Sequence, residues 1–186
     1  MDQPARDAEA ASRRRMAGLG WELVEVDVTP FLAAGDLLYG GAFVAERFAA
    51  VGPAVLAEPE GLDPVVAGII GAAEALPAWQ VFVDLDRLQG YAAATAPVWA
   101  TIDALALPTV PTTFTHAAVA ADPLGTNRTL GTFTNFVNLL DLAAVVAPVD
   151  PRPDGHPYGV QLVGPAFSDA HLAALAQSLA DAPPPG

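Results

Sequence analysis

The sequence predicts an α/β fold, and three observations support this prediction. Segments with apolar side chains every three or four positions are typical of amphipathic helices, and they separate short apolar runs that lie between Gly and Pro. These runs are Ala104–Val110, Val145–Ala147 and Val160–Val163. Such runs are typical of strands buried on both faces of a helix-covered sheet. With 53% hydrophobic and 16% charged residues, the 186-residue chain has the composition of a globular domain with a sizeable core.

The first part of the chain is predicted to be mainly helical. The predicted helices are residues 5–18, two pieces within residues 36–51, residues 62–75 and residues 82–105; the predicted strand is Trp21–Val28. Alternation of apolar and polar side chains indicates that strand. Gly40 and Gly41 separate the two helical pieces, and Pro64 suits the first position of the next helix. Pro97 is expected to kink the long helix because it lacks a backbone donor.

Residues 130–169 organise the second part of the chain. They predict a helix, the strand Val145–Ala147 stopped by Pro148, a turn, the strand Val160–Val163 and a helix start. Ser168 is predicted to cap that last helix. Further expectations are loops at residues 112–116 and 122–127 and a disordered tail or linker stub at residues 182–186. About four strands against six helices predict an incomplete sheet.

Composition and charge exclude several functional classes. The net charge of −13 argues against nucleic acid and anionic membranes as partners, because both would repel the chain. The absence of Cys excludes disulfides, a thiol nucleophile and thiolate metal ligands. No apolar run nears the length of a bilayer span, and the N-terminus is polar, so a cytoplasmic location is expected. His116, His156 and His171 lack metal-binding spacing, and no metal site is predicted.

No catalytic residue is predicted from the sequence. The three serines, Ser12, Ser168 and Ser178, lie on helix surfaces or at a cap rather than in a Gly-rich turn. Asp84 and Asp86 are two residues apart, so they do not share a helix face. They are interpreted as favourable charges near a helix N-terminus. All eight cationic side chains are Arg, so no Lys is present to act as a base.

One motif resembles that of a known family. Residues 155–164, GHPYGVQLVG, together with Asn138 and Pro148, resemble the late G-L-P-x-G-V-Q-L-V-G motif of amidase-signature hydrolases. The string GTFTNFVNLLDLAAVVAP resembles one branch of that family, allophanate hydrolase. The resemblance extends from about Arg14 to Leu179. Two positions depart from the pattern: His156 replaces the usual Leu, and Asp150 stands where Gly is frequent. Both predict a changed loop geometry.

The resemblance implies which part of an amidase domain this chain represents. The family uses a Ser–cis-Ser–Lys triad on a Gly-Gly-Ser-Ser-Gly-Gly motif, and this chain contains neither Lys nor that motif. Residues 1–181 are therefore expected to be the C-terminal half of an amidase-signature α/β/α sandwich with a mixed sheet. The N-terminal catalytic half is expected to be missing. The implied reaction is hydrolysis of allophanate to ammonia and carbon dioxide in urea degradation, without a cofactor, and the chain alone is expected to be inactive.

Tyr39 and Arg47 are the predicted substrate-binding residues. The surrounding LLYGGAFVAERFAA resembles the allophanate hydrolase string in which Tyr precedes W-V-A-E-R, and the resemblance implies that both side chains hold the substrate carboxylate. The Arg guanidinium can bind a carboxylate through two parallel hydrogen bonds. On an unbroken helix the two residues would be separated by roughly 12 Å of rise, so the Gly40–Gly41 break is expected to fold the chain back. The alternative is an Arg47–Glu46 surface pair beside a core Tyr39.

Two other functional interpretations stay open at the level of sequence. The chain could be a non-catalytic subunit or scaffold that binds a small carboxylate, or a truncated reading frame without independent function. In either case the buried-type strands are expected to need the missing N-terminal half or self-association to cover their edges.

Overall fold

A computed structural model describes residues 1–58 and 61–183 of the chain. The α-helices are α1 Gln3–Gly18, α2 Thr29–Gly40, α3 Val44–Ala57, α4 Pro64–Gly71, α5 Ala78–Thr95, α6 His116–Ala121, α7 Pro123–Leu130, α8 Asn135–Leu139 and α9 Asp169–Asp181. Short 3-10 helices follow α4 at Ala72–Ala75 and α5 at Ala96–Ala100. The strands are β1 Leu105–Pro108, β2 Leu142–Val149 and β3 Tyr158–Pro165. The α/β class predicted from the sequence is confirmed.

The strands form one antiparallel sheet in the order β1-β3-β2. The strands of the described residues therefore supply none of the parallel pairs that a mixed sheet would contain. β3 is central and buried along almost its whole length, as predicted, but Val146 on β2 is 47% exposed. The prediction that every strand is buried on both faces is wrong for β2, because Val145 and Ala147 pack against the core on one face while Val146 points to the opposite face and is exposed.

Pro148 does not stop β2, which continues to Val149. Thr109 N–H donates to the Gly159 carbonyl, so alternate residues of β3 face β1 and the others face β2. Pro148 is paired with Gly159 in the register and therefore directs its missing donor to the open edge of β2. An edge strand tolerates Pro in this position because no ladder hydrogen bond is lost.

Helices cover both faces of the sheet. On one face, α1 and α9 contribute Ala5, Ala8, Leu172 and Leu179 to a core with Tyr158, Val160 and Leu162 of β3. On the other, Phe31 and Ala34 of α2 and Phe136 of α8 surround Leu105 and Val163. The ring of Phe31 contacts those of Trp99 and Phe136 edge-on, at centroid distances of 5.7 and 5.5 Å. The result is a layered α/β/α arrangement around a short sheet.

The helix boundaries correct several predictions. Residues 123–130, predicted to begin as a loop, form α7, because Asp122 caps the Gly125 N–H and Pro123 suits the first turn. The long helix begins at Ala78 rather than residue 82 and gives way to a 3-10 helix at Ala96, next to Pro97, where the kink was predicted. Leu85, predicted to be part of its core face, is 40% exposed.

Trp21–Val28 does not form the predicted strand. A strand is assigned only when its backbone pairs with a neighbour, and no strand among the described residues pairs with this segment. The alternating sequence therefore supplies a strand-like segment without its partner.

Buried arginines fix the loop between β2 and β3. Arg152 is 5% exposed and pairs with Asp2 at 3.1 Å and Asp154 at 2.6 Å. Arg15 pairs with Asp150 at 3.3 Å and donates to the carbonyls of Ala180 and Ala182 at the end of α9. Asp150, at which the sequence departs from the family motif, is therefore paired with the charged side chain of Arg15. Of the predicted tail, residues 184–186 lie outside the described residues, whereas Ala182 is buried.

One helical stretch has the length and composition of a membrane span. Thr29–Ala57, which contains α2 and α3, reaches a mean hydropathy of 1.2, and 17% of its most apolar window is buried. A second candidate arises only if two helices bent by 104° are joined. The stretch is interrupted between α2 and α3, at the glycines that were predicted to break it. A single such helix is weak support for a membrane location, since core helices of water-soluble proteins also have this property.

Candidate functional site

The candidate site is the junction between α2 and α3, which carries both predicted substrate-binding residues. Tyr39 lies in the last turn of α2, and Arg47 lies in the first turn of α3. Gly41 between them is extended, with φ −111° and ψ −175°, and its N–H donates to the Leu37 carbonyl. The predicted interruption at Gly40 and Gly41 is confirmed.

Asp84 of α5 holds this junction in place. Its carboxylate accepts a 2.8 Å hydrogen bond from the Ala42 N–H and further bonds from Gln80 and Arg87. A Cβ on Gly41 would lie 2.7 Å from the Leu37 carbonyl oxygen and 3.1 Å from Asp84 Oδ2. Only glycine allows this close approach. The turn that separates Tyr39 from Arg47 is therefore set by a tertiary contact 42 residues away in sequence.

Asp84 was missed as a functional candidate, and its interpretation as a charge near a helix N-terminus is wrong. It is 1% exposed and lies in the second turn of α5, whereas Asp86 is exposed. A signal was present, because Asp84 lies four residues before the half-buried Leu88 and seven before Tyr91. That spacing places all three on one helix face.

The ionisation of Asp84 adds stability to the junction. Burial by itself raises the pKa of Asp84, but the hydrogen bonds from Ala42, Gln80 and Arg87 and the charge of Arg87 outweigh it and lower the pKa below the ordinary 3.8. A carboxyl whose pKa is lowered by folding stabilises the folded state at pH values above its pKa in the unfolded chain. This contribution is lost as the pH falls through its pKa in the folded chain. Acid is therefore expected to loosen the junction below about pH 4.

Replacing Asp84 by Ala is expected to destabilise the fold by about 1–3 kcal/mol, because the buried Ala42 N–H loses its acceptor. Asp86→Ala on the same helix is the matched control, since an exposed change of this kind costs less than about 0.5 kcal/mol. Urea midpoints give the stability, and hydrogen exchange of the Ala42 amide gives the local effect. Equal results for the two variants would contradict the positioning role of Asp84.

The helices that carry Tyr39 and Arg47 pack against different neighbours. α2 packs against α8 and α5, whereas α3 packs against α4 and the following 3-10 helix. The different neighbours of the two helices leave the expected reversal at Gly40–Gly41 as a prediction. Within residues 1–58 and 61–183, the two side chains make no hydrogen bond to each other.

Both predicted ligand-binding side chains are open to solvent. Tyr39 is 44% exposed, so it is not the core residue of the alternative interpretation, and Arg47 is exposed without an ion pair to Glu46. No carboxylate of the described residues lies within salt-bridge distance of Arg47. An unpaired guanidinium can bind an external carboxylate without first breaking an internal ion pair.

Two cavities lie elsewhere. A groove of about 870 Å³ lies between residues 20–28 and the start of the sheet, and a cavity of about 270 Å³ lies between α2 and α7, near Asp36 and Arg128. Tyr39 and Arg47 line neither. Both residues are exposed, and neither belongs to these two cavities.

Three of the remaining polar side chains have structural contacts. Ser12 donates to the Ala8 carbonyl and Ser168 to the Pro165 carbonyl, so Ser168 begins α9 without accepting the predicted capping bond. Gln161, in the motif shared with amidases, is buried and donates to the Phe133 carbonyl at 2.8 Å. The described residues contain no cluster of three His, Asp or Glu side chains arranged to hold a metal.

Comparisons with known proteins point to one family. The family profile "Amidase" matches residues 1–173. Urea amidolyase of Lachancea kluyveri is 39% identical over 177 residues, which are 94% of this chain and 10% of that protein. Urea amidolyase of Saccharomyces cerevisiae is 38% identical over 84% of this chain and 9% of its own length.

Solved structures show the same similarity. Allophanate hydrolase of Kluyveromyces lactis superposes with a TM-score of 0.90 at 34% identity, over 96% of this chain and 29% of that one. An amidase structure at 22% identity and a TM-score of 0.75 agrees in fold. The chain thus spans about a tenth of the urea amidolyases and less than a third of the allophanate hydrolase.

Proposed function

Because this chain belongs to the amidase family, we propose that it forms the substrate-carboxylate-binding part of an allophanate hydrolase-type amidase. In this proposal Tyr39 and Arg47 bind the carboxylate, and the remaining part of the amidase domain supplies the catalytic groups. The observation that carries the proposal is the exposed Arg47, which has no ion-pair partner among the described residues and stands at the end of a turn fixed by Asp84.

The chemistry of allophanate fits an arginine and a tyrosine. Allophanate is a urea that carries a terminal carboxylate. The guanidinium can donate two parallel hydrogen bonds to that group, and the phenolic hydroxyl adds a third. Binding the carboxylate end places the urea carbonyl at a fixed distance from it, so the reacting carbon is oriented before nucleophilic attack. The role proposed for this chain is therefore positioning of the substrate.

Because Tyr39 and Arg47 are exposed, tight binding of the carboxylate is expected to need a second surface that covers them. An ion pair between solvent-exposed groups contributes only about 0–1 kcal/mol, because water and salt screen the charges. The same contact contributes about 2–5 kcal/mol when its surroundings exclude water. We therefore expect weak binding by this chain alone and strong binding once a second surface covers Tyr39 and Arg47.

The nucleophile and base are proposed to come from the remaining part as well. The chain has no Lys, and the hydroxyls of Ser12 and Ser168 donate to backbone carbonyls rather than to a base. Water activated elsewhere would attack the urea carbonyl and displace ammonia directly, whereas a serine would do so through an acyl-enzyme that water then hydrolyses.

Complementation tests this function. The full chain would be mixed with the amidase domain of Kluyveromyces lactis allophanate hydrolase from which the matching region has been deleted. Ammonia release would then be measured with allophanate and with biuret, in which a neutral amide replaces the carboxylate. We expect turnover only from the mixture and a preference for allophanate. Equal rates with both substrates would reject the carboxylate role.

A further inference from the structure

The helix that carries Arg47 packs mainly within a small group of helices. The main partners of α3 are α4 and the 3-10 helix Ala72–Ala75, and these two pack mainly on α3 and on each other. Two of the 14 residues of α3 are buried, against four of the 12 residues of α2. Phe31 of α2, by contrast, is fully buried in the core beneath the sheet. Packing therefore fixes α3 less firmly than it fixes α2.

One hydrogen bond joins the start of α3 to the rest of the protein. The Ala42 N–H donates to Asp84 Oδ2 of α5 at 2.8 Å, and the Ala42 carbonyl accepts from the Ala45 N–H in the first turn of α3. Among the described residues, no other hydrogen bond links residues 42–58 to a different part of the chain. Because Ala42 is buried, solvent water is a poor substitute for this acceptor. The position of the N-terminal end of α3 therefore depends on Asp84.

Gly41 shows how closely Asp84 approaches the chain that it anchors. A Cβ at Gly41 would lie 3.1 Å from Asp84 Oδ2 and 2.7 Å from the Leu37 carbonyl oxygen. The φ of −111° is open to every residue type, so the close contact rather than the torsion angle requires glycine here. A methyl group at this position would push the carboxylate and the start of α3 apart.

Tyr39 and Arg47 are therefore positioned by different parts of the structure. Tyr39 lies in the last turn of α2, whose packing against α5 and α8 does not require the Ala42 hydrogen bond. Arg47 follows Ala42 by five residues, on a helix whose first hydrogen bond is accepted by the Ala42 carbonyl. Because helical hydrogen bonds fix the geometry of that first turn, a shift of Ala42 would move Arg47 with it.

We propose that Asp84 is a positioning residue for the substrate carboxylate, because through Ala42 it holds Arg47 at the place where the carboxylate binds. The inference rests on the proposed function, in which Arg47 binds the carboxylate of allophanate. Asp84 is 1% exposed, so it acts without touching the substrate. A misplacement of about 1 Å can lower a rate about 100-fold even when the change lies far from the reacting atoms. Asp84 therefore contributes to the preference for allophanate over a neutral amide analogue.

Substrate selectivity separates this role from a purely structural one. The mixture of this chain with the truncated Kluyveromyces lactis amidase domain would be assayed with allophanate and biuret, and the selectivity ratio is kcat/KM for allophanate divided by that for biuret. Asp84→Ala is expected to lower this ratio about 10- to 100-fold, mainly through a higher KM for allophanate. The exposed Asp86→Ala is the matched control, and its ratio should stay within about twofold. An equal loss of kcat/KM with both substrates in Asp84→Ala would overturn the proposal.

Two further variants keep the test decisive if Asp84→Ala does not fold. Asp84→Asn retains an oxygen for the Ala42 and Gln80 donors and changes only the atom that faces the exposed Arg87, so its ratio should stay within about threefold. Gly41→Ala alters no charge but disturbs the contact with the carboxylate, and it should lower the ratio about tenfold or more. An unchanged ratio in Gly41→Ala, or a loss in Asp84→Asn as large as that in Asp84→Ala, would overturn the proposal.

A double-mutant cycle identifies the side chain through which Asp84 acts. When Arg47→Ala has already removed the carboxylate contact, adding Asp84→Ala should change the selectivity ratio by less than about twofold. When Asp84→Ala is added to Tyr39→Phe, the two losses should multiply to within about twofold, because α2 holds Tyr39 independently. Full multiplication of the losses from Asp84→Ala and Arg47→Ala would show that Asp84 does not act through Arg47 and would overturn the proposal.

The same measurements separate a failure of this inference from a failure of the proposed function. A loss of selectivity in Arg47→Ala but not in Asp84→Ala would leave Arg47 as the carboxylate-binding residue and overturn the positioning role. Unchanged selectivity in Arg47→Ala would reject the proposed function and, with it, the role of Asp84. Loss of selectivity in both single variants, without further loss in the double variant, is the expected result.

Discussion

Replacing Arg47 by Ala in the complemented amidase is expected to lower kcat/KM for allophanate by about 30- to 1,000-fold. This range corresponds to about 2–4 kcal/mol, the usual loss when one partner of a water-excluded, charge-assisted contact is removed. Hydrolysis of biuret should change little, because biuret has no carboxylate for the guanidinium to bind. Steady-state ammonia release with both substrates measures the difference.

Three further variants define the geometry of this contact. Arg47→Lys should recover only part of the loss, since an ammonium cannot form two parallel hydrogen bonds. Tyr39→Phe should lower kcat/KM for allophanate by the equivalent of about 1 kcal/mol, as expected for the loss of one neutral hydrogen bond. Arg128→Ala is the control, because Arg128 is an exposed arginine already paired with Asp36 at 3.1 Å. Unchanged allophanate kinetics in Arg47→Ala would make Arg47 a surface residue.

The chain alone is expected to release no measurable ammonia from allophanate. Loss of a catalytic nucleophile or base lowers kcat by as much as about 10⁶-fold in a well-studied hydrolase, and the proposed function places both groups outside this chain. Adding the remaining part of an amidase domain should restore turnover. Ammonia release would be measured with the chain alone, the partner alone and the mixture.

Ser168 provides the control for this prediction. Its hydroxyl donates to the Pro165 carbonyl at 2.7 Å, a bond that begins α9 and gives no activation. Ser168→Ala should therefore leave the activity of the mixture within a few-fold. Robust turnover by the chain alone that disappears in Ser168→Ala would show that a nucleophile had been overlooked.

The amino-acid sequence by itself determined the features that depend on local chemistry. The helix at the start of the chain, the helix break before α3 and the buried strand β3 follow from apolar periodicity and from the positions of Gly and Pro. The motif around Gln161 also indicated the family, because its residues are contiguous in the sequence, although the Gln161 side chain contacts the Phe133 carbonyl 28 residues away. Tyr39 and Arg47 were identified only through the family resemblance.

The tertiary structure alone decided what depends on partners distant in sequence. Trp21–Val28 alternates like a strand but forms none, because a strand requires a neighbour and the described residues supply none. Asp84 resembles an ordinary helix charge until its contact with Ala42 shows that it holds the junction between α2 and α3. The packing of α3 on α4 is likewise a contact that the pattern around Gly40 and Gly41 does not specify. Local patterns specify which conformation a segment favours, whereas hydrogen-bond partners and apolar contacts decide whether and where that conformation forms.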